Sequence, residues 1–209
     1  LSPSDTLKSW AEKFWSLKNI QVVPNPFTLS DRWLNLPISP RKKQICFVGK
    51  LSVLKGMVSF TKAIPLILKK YPDYTIVLVG RDEVENNINM KDWMQNQLQP
   101  YLHQIIFTGV LVADSLEKVY AESAIAIFPS LWENYPTVVL EAMAAGVAVA
   151  ASNRGGIPEI IEHHKTGELF NPMNPTEIFK AVDHLLQNET YRIALAESAR
   201  RSVIELQSK

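Results

Sequence analysis

The chain has 209 residues, 46% of them apolar, enough for a sizeable core and too many for a disordered chain. Its 22 Lys plus Arg against 21 Asp plus Glu leave a net charge of +1, without the basic excess of a nucleic-acid-binding domain, so no nucleic-acid partner is expected. No run of 18 apolar residues predicts a transmembrane helix, and Cys46 stands alone in the apolar run 45–48, where it reads as a core residue in a reducing, cytoplasmic setting.

The opening Leu-Ser-Pro-Ser-Asp resembles neither a signal peptide nor an anchor, and a start at Leu1 suggests a processed or excised fragment. Ser4 or Asp5 can cap a first helix reaching about Leu17, with Leu7, Trp10, Phe14 and Leu17 on one face. A short strand is expected at 20–23, then a proline-punctuated connector from Pro24 to Pro40. Strands are expected at 44–49, 74–80, 104–109, 124–129, 147–151 and 168–170. Helices are expected at 58–71, 90–98, 114–122, 137–145, 157–162, 176–186 and 190–207.

Strands apolar on both faces, alternating with helices, predict a doubly wound, Rossmann-like α/β fold with a parallel sheet covered on both sides. The expected division is an N-terminal helix and connector at 1–40, a Rossmann-like domain at 41–190 and a C-terminal helix at 191–209. Such sheets bind ligands beyond the carboxyl ends of their strands, near the switch point. Two of those loops are unusual.

The loop after the first of these strands reads Gly49-Lys50-Leu51-Ser52-Val53-Leu54-Lys55-Gly56. Two ammonium groups five residues apart, the second just before a helix, suit a diphosphate, although the spacing alone also fits two solvated lysines. The loop after the fourth runs from Pro129 through Glu133, Asn134, Tyr135 and Pro136 into Thr137, Val138 and Val139. Pro136 disfavours helix at Tyr135, so the next helix starts at or just after Pro136 and presents the amides of 137–139 as free donors. Glu141, in the second turn, could accept from ribose hydroxyls, and Glu133 could face a sugar on the distal phosphate. A buried Glu141 paired with a lysine and a Glu133 held only by the helix dipole remain the plainer alternatives.

Adjacent His163 and His164 are expected to point apart, with no carboxylate at ligand spacing, so no metal site is expected there. Gly155-Gly156, after another strand, fit either a close approach of the backbone to a ligand or a plain tight turn. Neither Gly-x-Gly-x-x-Gly nor a Walker-type loop is present, which removes the usual dinucleotide and P-loop readings.

The spacing of Glu133 and Glu141, with seven residues between, followed by Ala142-Met143-Ala144-Ala145-Gly146, resembles the E-x7-E signature of the family 4 retaining glycosyltransferases. Gly49-Lys50, Lys55-Gly56, Val79-Gly80, Phe107-Thr108-Gly109, Pro129-Ser130 and Gly155-Gly156-Ile157-Pro158-Glu159 fall in the family's order, over roughly residues 20–190. The resemblance implies the C-terminal, donor-binding half of a GT-B enzyme that transfers a hexosyl group from a UDP-, GDP- or ADP-linked sugar with retention. It implies that Lys50 and Lys55 neutralise the departing diphosphate, that Glu141 holds the ribose and that Glu133 contacts the transferring sugar. Gly49 and Asn134 would line the donor site, backbone amides of Tyr135, Thr137 and Val138 would touch sugar and phosphates, and Leu111 would pack the base. No metal or other cofactor is expected, since the lysines carry the charge stabilisation.

Three positions depart from the common pattern: Lys50 for Arg, Pro136 for Gly, and Gly80-Arg81-Asp82 for Gly-x-Gly. The acceptor half of such an enzyme is missing from this chain, which is therefore expected to bind donor and transfer little; any peripheral membrane contact would belong to that half. The alternatives are an epimerase of the same architecture and a non-catalytic nucleotide-sugar-binding or assembly module.

Overall fold

The computed structural model describes residues 1–28, 31–85 and 87–207; the connector expectation at Leu29 and Ser30 lies outside them. Among the described residues six strands form one parallel sheet: β1 Lys42–Val48, β2 Thr75–Val79, β5 Ile105–Gly109, β6 Ser123–Phe128, β7 Ala148–Ser152 and β8 Glu168–Phe170. Their order is β5-β2-β1-β6-β7-β8, and a separate antiparallel pair, β3 Val84–Glu85 and β4 Ile88–Asn89, lies outside this sheet.

The period-two alternation of side chains divides the core between the two faces. Ile45, Phe47, Ile76, Leu78, Ile125 and Ile127 face one cluster; they meet Phe60 and Ile64 of α3 (Met57–Lys70), Met94 of α4 (Met90–Gln97) and Val182 of α8 (Pro175–Gln187). Cys46, Val48, Val77, Ala126 and Val149 face the other. There they meet Tyr120 of α5 (Ala113–Glu122), Leu140 and Met143 of α6 (Thr137–Ala144) and Ala199 and Val203 of α9 (Glu189–Gln207). The fold is the expected doubly wound one. Burial pushes the Cys46 thiol up to about 12, as suits a core thiol with no chemistry of its own.

The sheet order fixes where a ligand can enter. From β1 the chain builds outward through β2 to β5, then returns to β6 on the other side of β1 and continues to β7 and β8. The reversal lies between β1 and β6, so the loops 49–56 and 129–136 flank the crevice above the switch point.

Several local expectations differ. The strand expected at 20–23 is a single parallel bridge between Ser2 and Val22, and the connector contains a short helix, α2 Asp31–Leu34. The first helix, α1 Asp5–Trp15, starts at the expected cap, where Ser4 Oγ accepts from the Leu7 amide at 3.2 Å. Its apolar stripe is not buried: Trp10 is 37% and Phe14 58% exposed, and Leu17, 49% exposed, lies past the helix end. The β3–β4 pair, a 3-10 helix Gln99–Gln104 and α7 Ile157–Ile160, shorter than expected, complete the chain.

Candidate functional site

Close backbone approach assembles the site. Gly56 has φ +77, and a Cβ there would stand 1.8 Å from the Pro129 carbonyl oxygen, so the loop after β1 can lie on the loop after β6 only through a glycine. Two residues along each loop, the Leu131 amide donates to the Leu54 carbonyl at 2.8 Å. On the other side, Cβ atoms at Gly155 and Gly156 would fall 2.0 Å from the Glu133 and Asn134 carbonyl oxygens, and the Gly156 amide donates to the Glu133 carbonyl at 2.8 Å. The two glycines admit a neighbouring loop of the protein itself, a close approach that neither the ligand nor the plain-turn alternative described. The Asn25 amide, from the connector, donates to the Tyr135 carbonyl at 3.3 Å.

Glu133 is thus held from three sides. Its Oε1 accepts from Lys55 Nζ at 2.5 Å and from Ser130 Oγ at 2.7 Å, with the carboxylate 14% and the ammonium 26% exposed. Lys50 faces another way: its ammonium lies 3.0 Å from Glu83, a contact that holds the Glu83 carboxyl below the usual range, with Arg81 also 3.5 Å away. The two lysines flank the crevice with different carboxylate partners. Asn134 Oδ1 accepts from the Trp132 indole at 3.0 Å.

Helix α6 begins at Thr137 with Pro136 at its cap and no side chain capping it. The Val139 amide donates to the Pro136 carbonyl at 3.2 Å, so of the three amides expected free it is engaged, while those of Thr137 and Val138 stand at the open helix end. Glu141 is half-buried beside the Tyr120 hydroxyl. Burial pushes its carboxyl up from the usual range, and a hydrogen bond from Tyr120 holds it partly back. No lysine pairs with it among the described residues, contrary to the plainer alternative.

Beside Gly49, whose amide donates to Val79 at 2.9 Å, the loops after β2 and β5 frame a cleft of about 400 Å³. Leu51, Gly80, Asp82, Phe107, Gly109 and Val110 are among its walls. Leu111 lies just past it, half-buried against the Tyr120–Leu140 cluster. The sequence reading gave no individual part to Ser130, Asn25 or Phe107, although Pro129-Ser130 and Phe107-Thr108-Gly109 stood among its landmarks and could have pointed to two of them.

The expectation for the histidines is corrected. The rings of His163 and His164 stack at 3.6 Å, and His164 Nδ1 lies 3.1 Å from Glu168. His164 has φ 65, and this left-handed residue undoes the alternation that would send neighbouring side chains apart.

The family described as Glycosyl transferases group 1 matches residues 35–202. An uncharacterized glycosyltransferase of Methanocaldococcus jannaschii is 31% identical over 173 residues, covering 82% of this chain and 43% of that protein. The C-terminal domain of a glycosyl transferase group 1 family protein from Francisella tularensis superimposes with a TM-score of 0.72 at 28% identity, covering 85% of this chain and 92% of that one. HepE of Anabaena, solved in complex with UDP and glucose, has a TM-score of 0.78 at 20% identity, covering 98% of this chain and 57% of that one. The chain spans about half the length of the curated relatives it matches.

Proposed function

The chain belongs to the group 1 glycosyl transferases, and from that premise we propose that it is the donor-binding half of an enzyme that moves a hexosyl group from a nucleoside diphosphate sugar to an acceptor with anomeric retention. The observation that carries this reading is the convergence, at the switch point, of Lys55, Glu133 and the open end of α6. The diphosphate lies against that helix end, where the Thr137 and Val138 amides and the positive end of the helix dipole favour an anion. Lys55 and Lys50 supply the remaining positive charge. Stabilising the leaving diphosphate electrostatically is what accelerates departure, and no metal ion is required for it. Glu141 accepts from the ribose, Glu133 from the transferring sugar, and the base enters the cleft between Gly80 and Gly109. The complex of HepE with UDP and glucose is in keeping with a nucleotide sugar as partner.

The acceptor half lies in a further domain. Two observations support this: the relatives are about twice as long, and α1 and the turn after it expose Trp10, Phe14, Trp15 and Leu17. Calorimetric titration with UDP, GDP and ADP tests the donor site. One nucleotide should bind, and Lys50→Ala with Lys55→Ala should weaken it at least tenfold. Equal binding by the double variant would remove the phosphate role from both lysines. Retention is read from the product's anomeric configuration by NMR with the full-length protein.

A further inference from the structure

Glu168 opens β8 at the end of the sheet opposite the donor crevice, and its side chain is only 3% exposed. A buried carboxylate needs partners, and this one collects them from three elements. From the loop before β8, His164 Nδ1 lies 3.1 Å from Oε1, while His163 Nδ1, 3.7 Å from Oε2, accepts from the Leu169 amide at 3.0 Å. From α8, His184 Nδ1 lies 3.0 Å from Oε1, and from α9 the Tyr191 hydroxyl donates to the same oxygen at 2.6 Å. Three of the chain's four histidines therefore surround one carboxylate. They also contact one another: His163 stacks on His164, and His164 meets His184 edge-on at 5.8 Å.

We propose that His164, His184 and Glu168, with His163 beside them, form a binding site for a divalent transition-metal ion of the zinc class, built to staple the β8 loop to α8. Four-coordinate zinc with bonds of about 2.0–2.1 Å holds its ligand atoms about 3.3 Å apart. The two short histidine-to-carboxylate distances, 3.0 and 3.1 Å, are near that spacing already. His163, His164 and Glu168 also offer ligand atoms that all lie within 4.8 Å of one another. The exchange balances simply. The ion takes the place of the Nδ1 protons of His164 and His184, each neutral ring keeps one proton by moving it to Nε2, and both rings are more than half exposed, so Nε2–H meets water. Tyr191 stays on the carboxylate as an outer partner. The left-handed backbone at His164 is the local departure from ordinary geometry that makes the cluster possible, and such departures gather at functional sites. Imidazole nitrogens with one carboxylate select zinc, cobalt or nickel over magnesium or calcium, which take oxygen ligands.

The test is Co²⁺ titration of the tag-free chain followed by its visible d–d absorption, with Zn²⁺ as competitor. The expected result is saturable binding of one ion with the strong absorption of a four-coordinate site, displaced by Zn²⁺. His164→Ala with His184→Ala should weaken it more than about 100-fold, beyond what loss of an outer partner produces. His103→Ala, outside the cluster, should leave it unchanged. A rise in the unfolding temperature with Zn²⁺, absent in the double variant, should accompany binding. An absorption that never saturates, the weak spectrum of a six-coordinate hydrated ion, or equal affinity in the double variant would overturn the proposal. Should the double variant not fold, His184→Ala alone, at a side chain 52% exposed, carries the same comparison.

Discussion

At the scale of single residues, the crevice holds two carboxylates whose surroundings set them to different tasks. Glu141 is pushed upward by burial, so the folded state binds its proton more tightly than the unfolded chain does. Stability from this group is complete below the ordinary carboxyl range and is lost as pH rises through the raised value of the folded state, where the unfolded chain has already released the proton. Glu141→Gln should abolish that fall, leaving a variant more stable than the parent at neutral pH; unfolding midpoints of both proteins across pH 4–8 read the difference. The same variant should bind nucleotide roughly 10–100-fold more weakly, since a hydrogen bond to a charged group contributes about 1.5–3 kcal/mol. Glu133 works the other way. It occupies Lys55, the ammonium proposed above to meet the diphosphate. Glu133→Gln removes the competing charge and should tighten the bare nucleoside diphosphate about three- to tenfold, while sugar transfer by the full-length enzyme falls. Calorimetry against kinetics separates the two, and weaker diphosphate binding in this variant would mean that Lys55 needs Glu133 to hold it in place.

At the scale of elements, the crevice depends on loops touching through backbone alone. In Gly56→Ala the left-handed conformation by itself costs about 1–2 kcal/mol, and a Cβ at 1.8 Å from the Pro129 carbonyl forces the two loops apart as well. The denaturation midpoint should drop by at least that amount, and nucleotide binding should be lost together with the Lys55–Glu133 contact. The central strands of this sheet were legible because their apolar runs serve both faces and are bounded by turn residues; predicted and observed ends of 44–49 and 42–48 differ by one or two residues. The two-residue strands β3 and β4 carry no periodicity to read. The stripe of α1 was legible as a pattern and misleading as to burial, because a helical stripe says which face is apolar and not what covers it. At the site, the two glutamates and two lysines stood out by spacing. The partner of Lys50 and the approach of His184 to Glu168 did not, since both arise from contacts between separate segments, whereas Glu168 stands only four residues from His164 and was overlooked as its carboxylate partner.

At the scale of the whole molecule, two arginines join the ends of the chain to the helix that carries Glu141. Arg41 donates to the Ile38 carbonyl at 3.0 Å, to Ala145 at 2.8 Å and to Gly146 at 3.1 Å. Arg200, from α9, donates to Ala144 at 2.9 Å and to Leu36 at 2.7 Å. The last carbonyls of α6 carry the negative end of its dipole and have no partner within the helix, so guanidinium groups suit them in both charge and hydrogen bonding. No carboxylate pairs with Arg41 among the described residues, and burial pushes it down to about 10. Connector, α6 and α9 are thereby fixed to one another by contacts that span 56 residues from Arg200 to Ala144 and 164 from Arg200 to Leu36. Arg200→Ala leaves two part-buried carbonyls without their donor, which at about 1–3 kcal/mol for each unsatisfied group predicts a loss of roughly 2–6 kcal/mol, read from urea denaturation. Arg200→Lys should recover less than half of it, because a single ammonium cannot span both carbonyls as the planar fork does. Since Ala144 lies one turn beyond Glu141, nucleotide affinity should fall as well, by less than tenfold, in step with the loosened helix end. A loss of stability below about 1 kcal/mol would show that α9 is held by its apolar contacts with α6 alone.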